Sequence, residues 1–350
     1  MSRGGDISKH PAEAETRRIF AQARLPVMAA PMFLVSGPEL VCACISSGIV
    51  GTYAASNSRD TTALGEALRI ISEHAADCDD APWGLNMIVH SSYDRFDAEL
   101  ELVRRYRPKI VTTALGSPSR VLAPVHGYGG IVLADVTTPT LARKAIDAGV
   151  DGLVLVSSGA GGHTGRYHPF AFIEEVRRFW NGPLGLAGAI SRGAHIRAAE
   201  LLGADFVAIG TQLIATHESM APKAYRDMVV NCSMEDLELS SAVSGVPANW
   251  LKPTLAAAGL TPDQLKEGKV IDFSGDISTA PKAWKNVWSA GHGVGATEAV
   301  TSVEEVVTAL EKGYVTTLRA EVGAAHSRMA ALQATRQVQA RSGKTLKGRD

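Results

Sequence analysis

The sequence has no basic excess. Lys and Arg number 35 against 36 Asp and Glu, a formal net charge of −1, so neither a nucleic-acid backbone nor an anionic lipid surface would meet the positive field it needs. Cysteine is scarce: Cys42, Cys44, Cys78 and Cys232 are too scattered for a disulfide framework or a zinc site. Cys42 and Cys44, on a helix-like segment, read as core packing. No uninterrupted apolar span is long enough to cross a bilayer. The opening MSRGGDISKHPAEAETRRIF lacks the apolar core of a signal peptide, which points to the cytoplasm. Metal-site spacing is missing as well, since no H-E-x-x-H occurs and His163 and His168 have no partnering His/Glu pattern. Nor does a full G-x-G-x-x-G follow a strand, and Gly291-His292-Gly293-Val294-Gly295 comes late without one, so a Rossmann dinucleotide site fits poorly.

What is present is the composition of a soluble globular protein, 45% apolar and 20% charged over 350 residues. That length suffices for one large α/β barrel or two ordinary domains. After a lead-in helix at Thr16–Arg24, strand-like runs fall at Leu25–Met32, Ile49–Ala54, Trp83–Ile88, Ile110–Leu115, Gly130–Val136, Asp151–Val156, Pro183–Ile190 and Asp205–Gly210. Helical patterns separate them, at Ser36–Ser47, Thr61–Ala76, Phe96–Tyr106, Ser119–Gly127, Thr138–Ala148, Pro169–Trp180 and His195–Leu202. Such alternation implies parallel strands joined by right-handed crossovers. Eight units point to a closed (β/α)₈ TIM barrel, with an open doubly wound sheet as the alternative architecture. KAIDAGVDGLVL and RAAELLGADFVAIG read as one helix-to-strand turn used twice, glycine following the helix each time.

The regularity stops after the eighth strand. The expected organisation is a barrel from residues 1–218 and 298–335, an irregular insertion or lid over 219–297, and a flexible tail from 336 to 350. Ser302–Val322 resumes a helical pattern as the last barrel helix.

The chemistry centres on Leu153–Gly165, LVLVSSGAGGHTG. An apolar strand runs into small residues and then delivers His163 on a glycine-rich loop, where an imidazole can act as acid or base near neutral pH. The bland alternative is a tight turn whose histidine caps a helix. Barrels of this kind hold ligands at the C-terminal ends of their strands, with phosphate after strands seven and eight. Gly188 and Ala189 after the seventh strand, and Gly210 and Thr211 after the eighth, expose backbone N–H groups and one hydroxyl there. Asn86, Thr113 and Asp135 stand at the ends of strands three, four and five, and Ala30-Pro31-Met32 at the end of strand one. Together these would ring a barrel mouth that suits a flat heterocycle with a phosphate tail. Met32, Phe33, Met87, Trp284 and Trp288 are candidates for its apolar wall.

VMAAPM in the first strand, GLN at Gly84–Asn86, GAGGHTG at Gly159–Gly165, AGAI at Ala187–Ile190 and GTQLI at Gly210–Ile214 together resemble the nitronate monooxygenase (2-nitropropane dioxygenase) family. The resemblance spans roughly Leu25 to Gly295, and WSAGHGVG at Trp288–Gly295 is similar to the family's late W-x-A-G-Q-G segment, with His292 in place of glutamine. It implies an FMN-dependent (β/α)₈ barrel in which His163 is the catalytic base. Asn86 and the backbone near Met32 would meet the flavin ring, Gly161 and Gly162 the ribityl chain, and Gly188, Ala189, Gly210 and Thr211 the phosphate. The implied reaction is oxidation of nitroalkanes or alkyl nitronates by O₂ to carbonyl compounds and nitrite. NAD(P)H-dependent reduction of enoyl thioesters or quinones on the same FMN platform is the second reading, and a non-catalytic flavin or phospho-ligand binder the third. The implied partners are small molecules and O₂, and a homodimer is left open. The family often has a basic or amide residue where this chain has Asp135, an acid that disfavours an anionic reduced flavin unless it is protonated or paired.

Overall fold

Apolar runs that are greasy on both faces become strands when they are covered from both sides. The computed structural model describes residues 11–261, 263–266 and 285–346, with backbone alone for 337–346. Its strands are β1 (Val27–Ala29), β2 (Thr52–Ala54), β3 (Gly84–Ile88), β4 (Ile110–Ala114), β5 (Ile131–Val136), β6 (Gly152–Val156), β7 (Gly162–His163), β8 (Leu184–Ala187), β9 (Phe206–Ile209), β10 (Leu237–Ser240) and β11 (Ala248–Leu251). All but β7, β10 and β11 form one parallel sheet in the order β1-β9-β8-β6-β5-β4-β3-β2. A parallel bridge between Met28 and Val50 joins its two edges, with the Ala29 N–H donating to the Val50 carbonyl at 2.8 Å. The sheet is therefore a (β/α)₈ barrel, and the seventh and eighth barrel strands are β8 and β9.

The helices are α1 (Pro11–Gln22), α2 (Pro38–Ser46), α3 (Thr61–Asp77), α4 (Phe96–Tyr106), α5 (Ser119–His126), α6 (Pro139–Ala148), α7 (Pro169–Arg177), α8 (Gly193–Leu202), α9 (Thr211–Ile214), α10 (Lys223–Asn231), α11 (Lys252–Ala257) and α12 (Val303–Leu346). Thr138 caps α6 by accepting the Leu141 N–H at 3.1 Å, as its place before the periodic run suggests. The repeated helix-to-strand turn is real. Gly149 and Gly203 take φ of +97° and +104° after α6 and α8. The aspartate of each turn reaches the backbone of the preceding barrel strand: Asp151 accepts from the Val132 N–H and Asp205 from the Leu184 N–H, both at 2.8 Å.

Met28, Val50, Ile110, Ile131, Leu133, Val154, Phe206 and Ala208 fill the inside of the barrel. The lead-in helix α1 closes its N-terminal end, since Ile19 and Phe20 join this cluster and Phe20 stacks on Phe206 at 3.9 Å. The helices pack on the outer faces of the strands in a second, larger core.

Two expectations need revision. The stretch over 219–297 contains regular elements: α10, α11 and the antiparallel pair β10–β11. β11 also pairs antiparallel with β7, placing Ala248 opposite His163 and Asn249 opposite Gly162. The histidine segment is thus a strand, not a loop. Trp284 and the DFSGD turn lie outside the described residues. At the other end, the helix read as Ser302–Val322 continues as helical backbone to Leu346, past Arg336 where a frayed tail was expected. Ala, Gln, Arg and Leu dominate that stretch and no proline interrupts it, so its propensity favours continuation.

α12 lies so close to α8 that a Cβ on Gly193 would stand 2.0 Å from the Tyr314 nitrogen and 2.2 Å from the Leu310 oxygen. Gly193→Ala should therefore destabilise the fold by about 1–3 kcal/mol, as overpacking of rigid backbone does. Gly323→Ala, on α12 with nothing within 4 Å, should be stabilising by about 1 kcal/mol or less. Urea unfolding of the two variants checks the contrast.

Candidate functional site

Side chains alternate across a strand, so β3, β4 and β5 each send every second residue into the barrel. Toward the C-terminal rim the inward series carries polar groups: Asn86 on β3, Thr112 on β4 and Asp135 on β5. Register supports this, since Asn86 is opposite Thr112, Thr112 opposite Leu133, and Asp135 opposite Val154. Above these residues lies a cavity of about 1070 Å³ at the C-terminal end of the barrel. Ala30, Pro31, Met32, Asn86, Thr113, Asp135, Gly161, Gly162, His163, Gly188, Ala189, Gly210 and Thr211 all line it. Every site residue expected from the sequence thus meets in one place.

The details differ from expectation. Thr113 borders the cavity, but its hydroxyl donates to the Leu133 carbonyl at 3.4 Å; Thr112 holds the inward position and accepts a 2.9 Å hydrogen bond from the Asn86 amide. Met32 and Phe33 line the cavity, whereas Met87 alternates away from it into the outer core. Trp288 stacks on Tyr225 at 4.9 Å and is not among the lining residues. The helix-capping role weighed for a histidine belongs to His168, whose Nδ1 accepts from the Phe170 N–H at the start of α7. His292 is exposed, and its backbone N–H donates to the Gly159 carbonyl at 2.9 Å.

His163 is positioned from two sides. Its strand is held by β11, and from that strand the buried Asn249 donates to the Ala160 carbonyl at 2.8 Å. Burial pulls the imidazole down to about 4, so it is neutral at pH 7 and not poised near its ordinary value of about 6.5. Burial acts oppositely on Asp135 and pushes its carboxyl up to about 7. No described residue donates a hydrogen bond to the Asp135 carboxyl.

The opposite wall is made of small residues. Gly188 takes φ +127°, and a Cβ there would lie 2.4 Å from Ser157 Oγ, so only glycine lets this turn pass beneath the cavity. Ser157 in turn donates to the Ala187 carbonyl at 2.7 Å. Thr211 Oγ1 accepts from the Gly291 N–H at 2.8 Å, which leaves its own proton for a ligand. At the start of α9 the Leu213 N–H donates to the Gly210 carbonyl at 2.8 Å, while the N–H groups of Thr211 and Gln212 have no acceptor within the helix. These are neutral donors gathered around one small-residue cradle, the arrangement that holds a phosphate without a cation. Gly291 and Gly293 complete it from the late glycine segment, whose place in the site is legible only through its likeness to W-x-A-G-Q-G. Ser157, Asn249 and Thr112 carry no signal in the sequence, because each works through a contact that register alone decides.

A family model described as nitronate monooxygenase matches residues 63–313. A nitronate monooxygenase of Pseudomonas aeruginosa is 26% identical over 341 residues, covering 82% of this chain and 95% of that protein. A (3aS,4S,5R,7aS)-5-hydroxy-7a-methyl-1-oxo-octahydro-1H-indene-4-carboxyl-CoA dehydrogenase of Rhodococcus jostii is 27% identical over 232 residues, covering 66% of this chain and 63% of that protein. The chain thus spans a little under two thirds of that relative's length. In fold, the nitroalkane oxidase of Streptomyces ansochromogenes matches with a TM-score of 0.73 at 23% identity, over 86% of this chain and 99% of that one. FabK of Thermotoga maritima matches with a TM-score of 0.73 at 22% identity, over 88% and 98%.

The raised carboxyl makes a stability prediction. Asp135 holds its proton to about pH 7 when folded but releases it near 3.8 when unfolded. The folded state therefore binds the extra proton, and stability falls as pH rises from about 4 to 7 and then levels off. Asp135→Asn removes this dependence, so its stabilising effect should be slight at pH 4 and reach on the order of 2–4 kcal/mol above pH 7. Thermal melts of the ligand-free protein across that range check it.

Proposed function

The chain belongs to the nitronate monooxygenase family, a flavin-dependent family of oxidoreductases, and on that basis we propose that it oxidises nitroalkanes and alkyl nitronates with O₂. The products are a carbonyl compound and nitrite. The observation that carries this reading is the junction of His163 with the small-residue cradle in one cavity at the open end of the barrel. Family membership makes the chain an enzyme, which sets aside a purely binding role.

The cofactor in this reading is FMN. The residues fit it: a cradle at Gly188 that a single Cβ would fill, neutral donors at Ala189, Gly210 and Thr211, and space for a ring bounded by Ala30–Met32 and Asn86. Gly161 and Gly162 flank the intervening stretch, with Thr113 and Asp135 at the far wall. When bound, FMN supplies an electron acceptor next to the reacting carbon and a route for those electrons to O₂.

The protein supplies the base. His163 is neutral at pH 7 and so presents a lone pair. It takes the proton from the carbon bearing the nitro group; the C–H bonding pair stays on the substrate, which becomes the nitronate. An imidazole so desolvated is a weak base on its own, but the anion formed beside it stabilises the imidazolium. The cavity walls at Met32, Phe33 and Ile88 keep water from that pair.

A second reading is favoured by the Rhodococcus jostii relative, whose name gives a carboxyl-CoA substrate. On it, the same platform reduces an enoyl thioester or a quinone with electrons from NAD(P)H. Anaerobic titration of the purified yellow protein separates the two. Bleaching by nitroalkane or nitronate but not by NADH or NADPH is expected; fast bleaching by either nicotinamide supports the reductase. His163→Ala should lower nitroalkane turnover by about 10²–10⁴-fold with FMN still bound. Since the imidazole is pulled down to about 4, the acid limb of kcat/KM should fall near that pH. Full nitroalkane activity in the alanine variant would remove His163 from the reaction.

A further inference from the structure

One wall of the cavity is a single short loop between β1 and α2. Ala30, Pro31, Met32, Phe33 and Val35 all line the space. The loop is held in a form its own chain disfavours. Leu34 takes φ +58°, a left-handed conformation that crowds any side chain with a Cβ. A contact from outside the loop has to offset that cost.

Asn57 supplies it. This residue ends the 3₁₀ turn Ala55–Asn57 that follows β2. Its Oδ1 accepts from the Leu34 N–H at 2.7 Å, and its Nδ2 donates to the Met32 carbonyl at 3.0 Å and the Ser36 carbonyl at 2.8 Å. The strained residue and the carbonyls on both sides of it are thus tied to one side chain. A primary amide offers an acceptor and two donor hydrogens, and here all three functions serve one loop. The buried Ser36 closes the loop from within, its hydroxyl accepting from the Met32 N–H at 3.0 Å and donating to the Ala30 carbonyl at 3.3 Å.

The turn that carries Asn57 is itself gripped. Arg95, just before α4, donates to the Ser58 carbonyl at 2.7 Å and the Ala55 carbonyl at 3.2 Å. It also pairs with the buried Glu99 at 2.7 Å. Hydrogen bonds therefore run from the loop after β3, through the turn after β2, to the loop after β1.

We infer that Asn57 is a positioning residue, which latches residues 30–36 in the strained form that presents Met32 and Phe33 to the cavity. Its bearing on the cofactor rests on the proposed reading that residues 30–32 bound the flavin ring. Asn57 stands behind the wall, outside the lining residues, so it acts through the loop alone. Without it Leu34 relaxes to negative φ, the peptides on either side turn with it, and Met32 and Phe33 leave their places. Flavin then binds only the fraction of molecules whose loop is still in place, and the apparent Kd rises by the inverse of that fraction.

The test compares the wild type with Asn57→Asp, which keeps the shape and the acceptor for Leu34 but turns a carboxylate oxygen toward two carbonyls. Near-ultraviolet circular dichroism reports whether the variant is folded. Asn57→Ala, which removes all three bonds, takes its place if the aspartate variant does not fold. In flavin-free protein isotope-labelled at its methionine methyls, the Met32 signal, assigned with Met32→Leu, should shift or broaden. Fluorescence titration with FMN should give a Kd about tenfold above the wild type, as expected if about one molecule in ten keeps the latched loop. The inference is overturned if either readout matches the wild type, or if neither variant folds. Nitrite release enters neither readout, so a protein inactive on nitroalkane loses the proposed reaction and keeps the latch. If the wild type fails to bind FMN, the cofactor reading is lost and the Met32 signal alone decides the latch.

Discussion

The antiparallel pairing of β7 with β11 is the contact on which the site depends. Two residues, Gly162 and His163, form a strand only because Asn249 and Ala248 stand opposite them. Without that edge, the glycines of residues 159–165 would leave the imidazole many orientations, and the entropy of fixing one would fall on the chemistry. The pairing also anchors the insertion. Through β11 and Trp250, buried in its own small cluster, the segment after the eighth barrel strand becomes part of the cavity wall. One short ladder thus sets both the position of the base and the shape of the space it faces.

Burial then reverses the ordinary order of the two ionisable groups. A carboxyl normally releases its proton well before an imidazolium does. Here burial desolvates both groups, so the acid moves up to about 7 and the imidazole down to about 4. The cavity disfavours charge of either sign on its own walls. The doubt raised by an acid at the end of β5 is eased by the same physics, since a protonated Asp135 does not repel an electron-rich ring.

Much of this was legible in the chain. The barrel is, because parallel strands buried on two sides leave continuous apolar runs, and helices between them carry their own caps; α4 begins and ends where its pattern does, at Phe96 and Tyr106. The meeting of the expected residues in one cavity is, because strand ends in such a barrel converge whatever their spacing in sequence. The insertion was not, since β10 and β11 are four residues each and their partner is two. Runs that short have no period to detect, and what makes them strands is pairing across distant sequence. Thr112 and Thr113 show the limit at its finest. Adjacent and alike, they face opposite sides of β4, and a register shift of one would exchange their roles. The depressed imidazole lies beyond sequence for a similar reason: desolvation is a property of the enclosure, not of the residue.

The stacked pair Phe20 and Phe206 has a consequence for traffic. With α1 seated across the bottom of the barrel, the lumen is a vessel with a floor, and whatever leaves must go out the way it came in. On the proposed function, reactant and products would pass the C-terminal opening, the end at which the cavity lies. A spent molecule on that route and the next one entering would compete for the same opening.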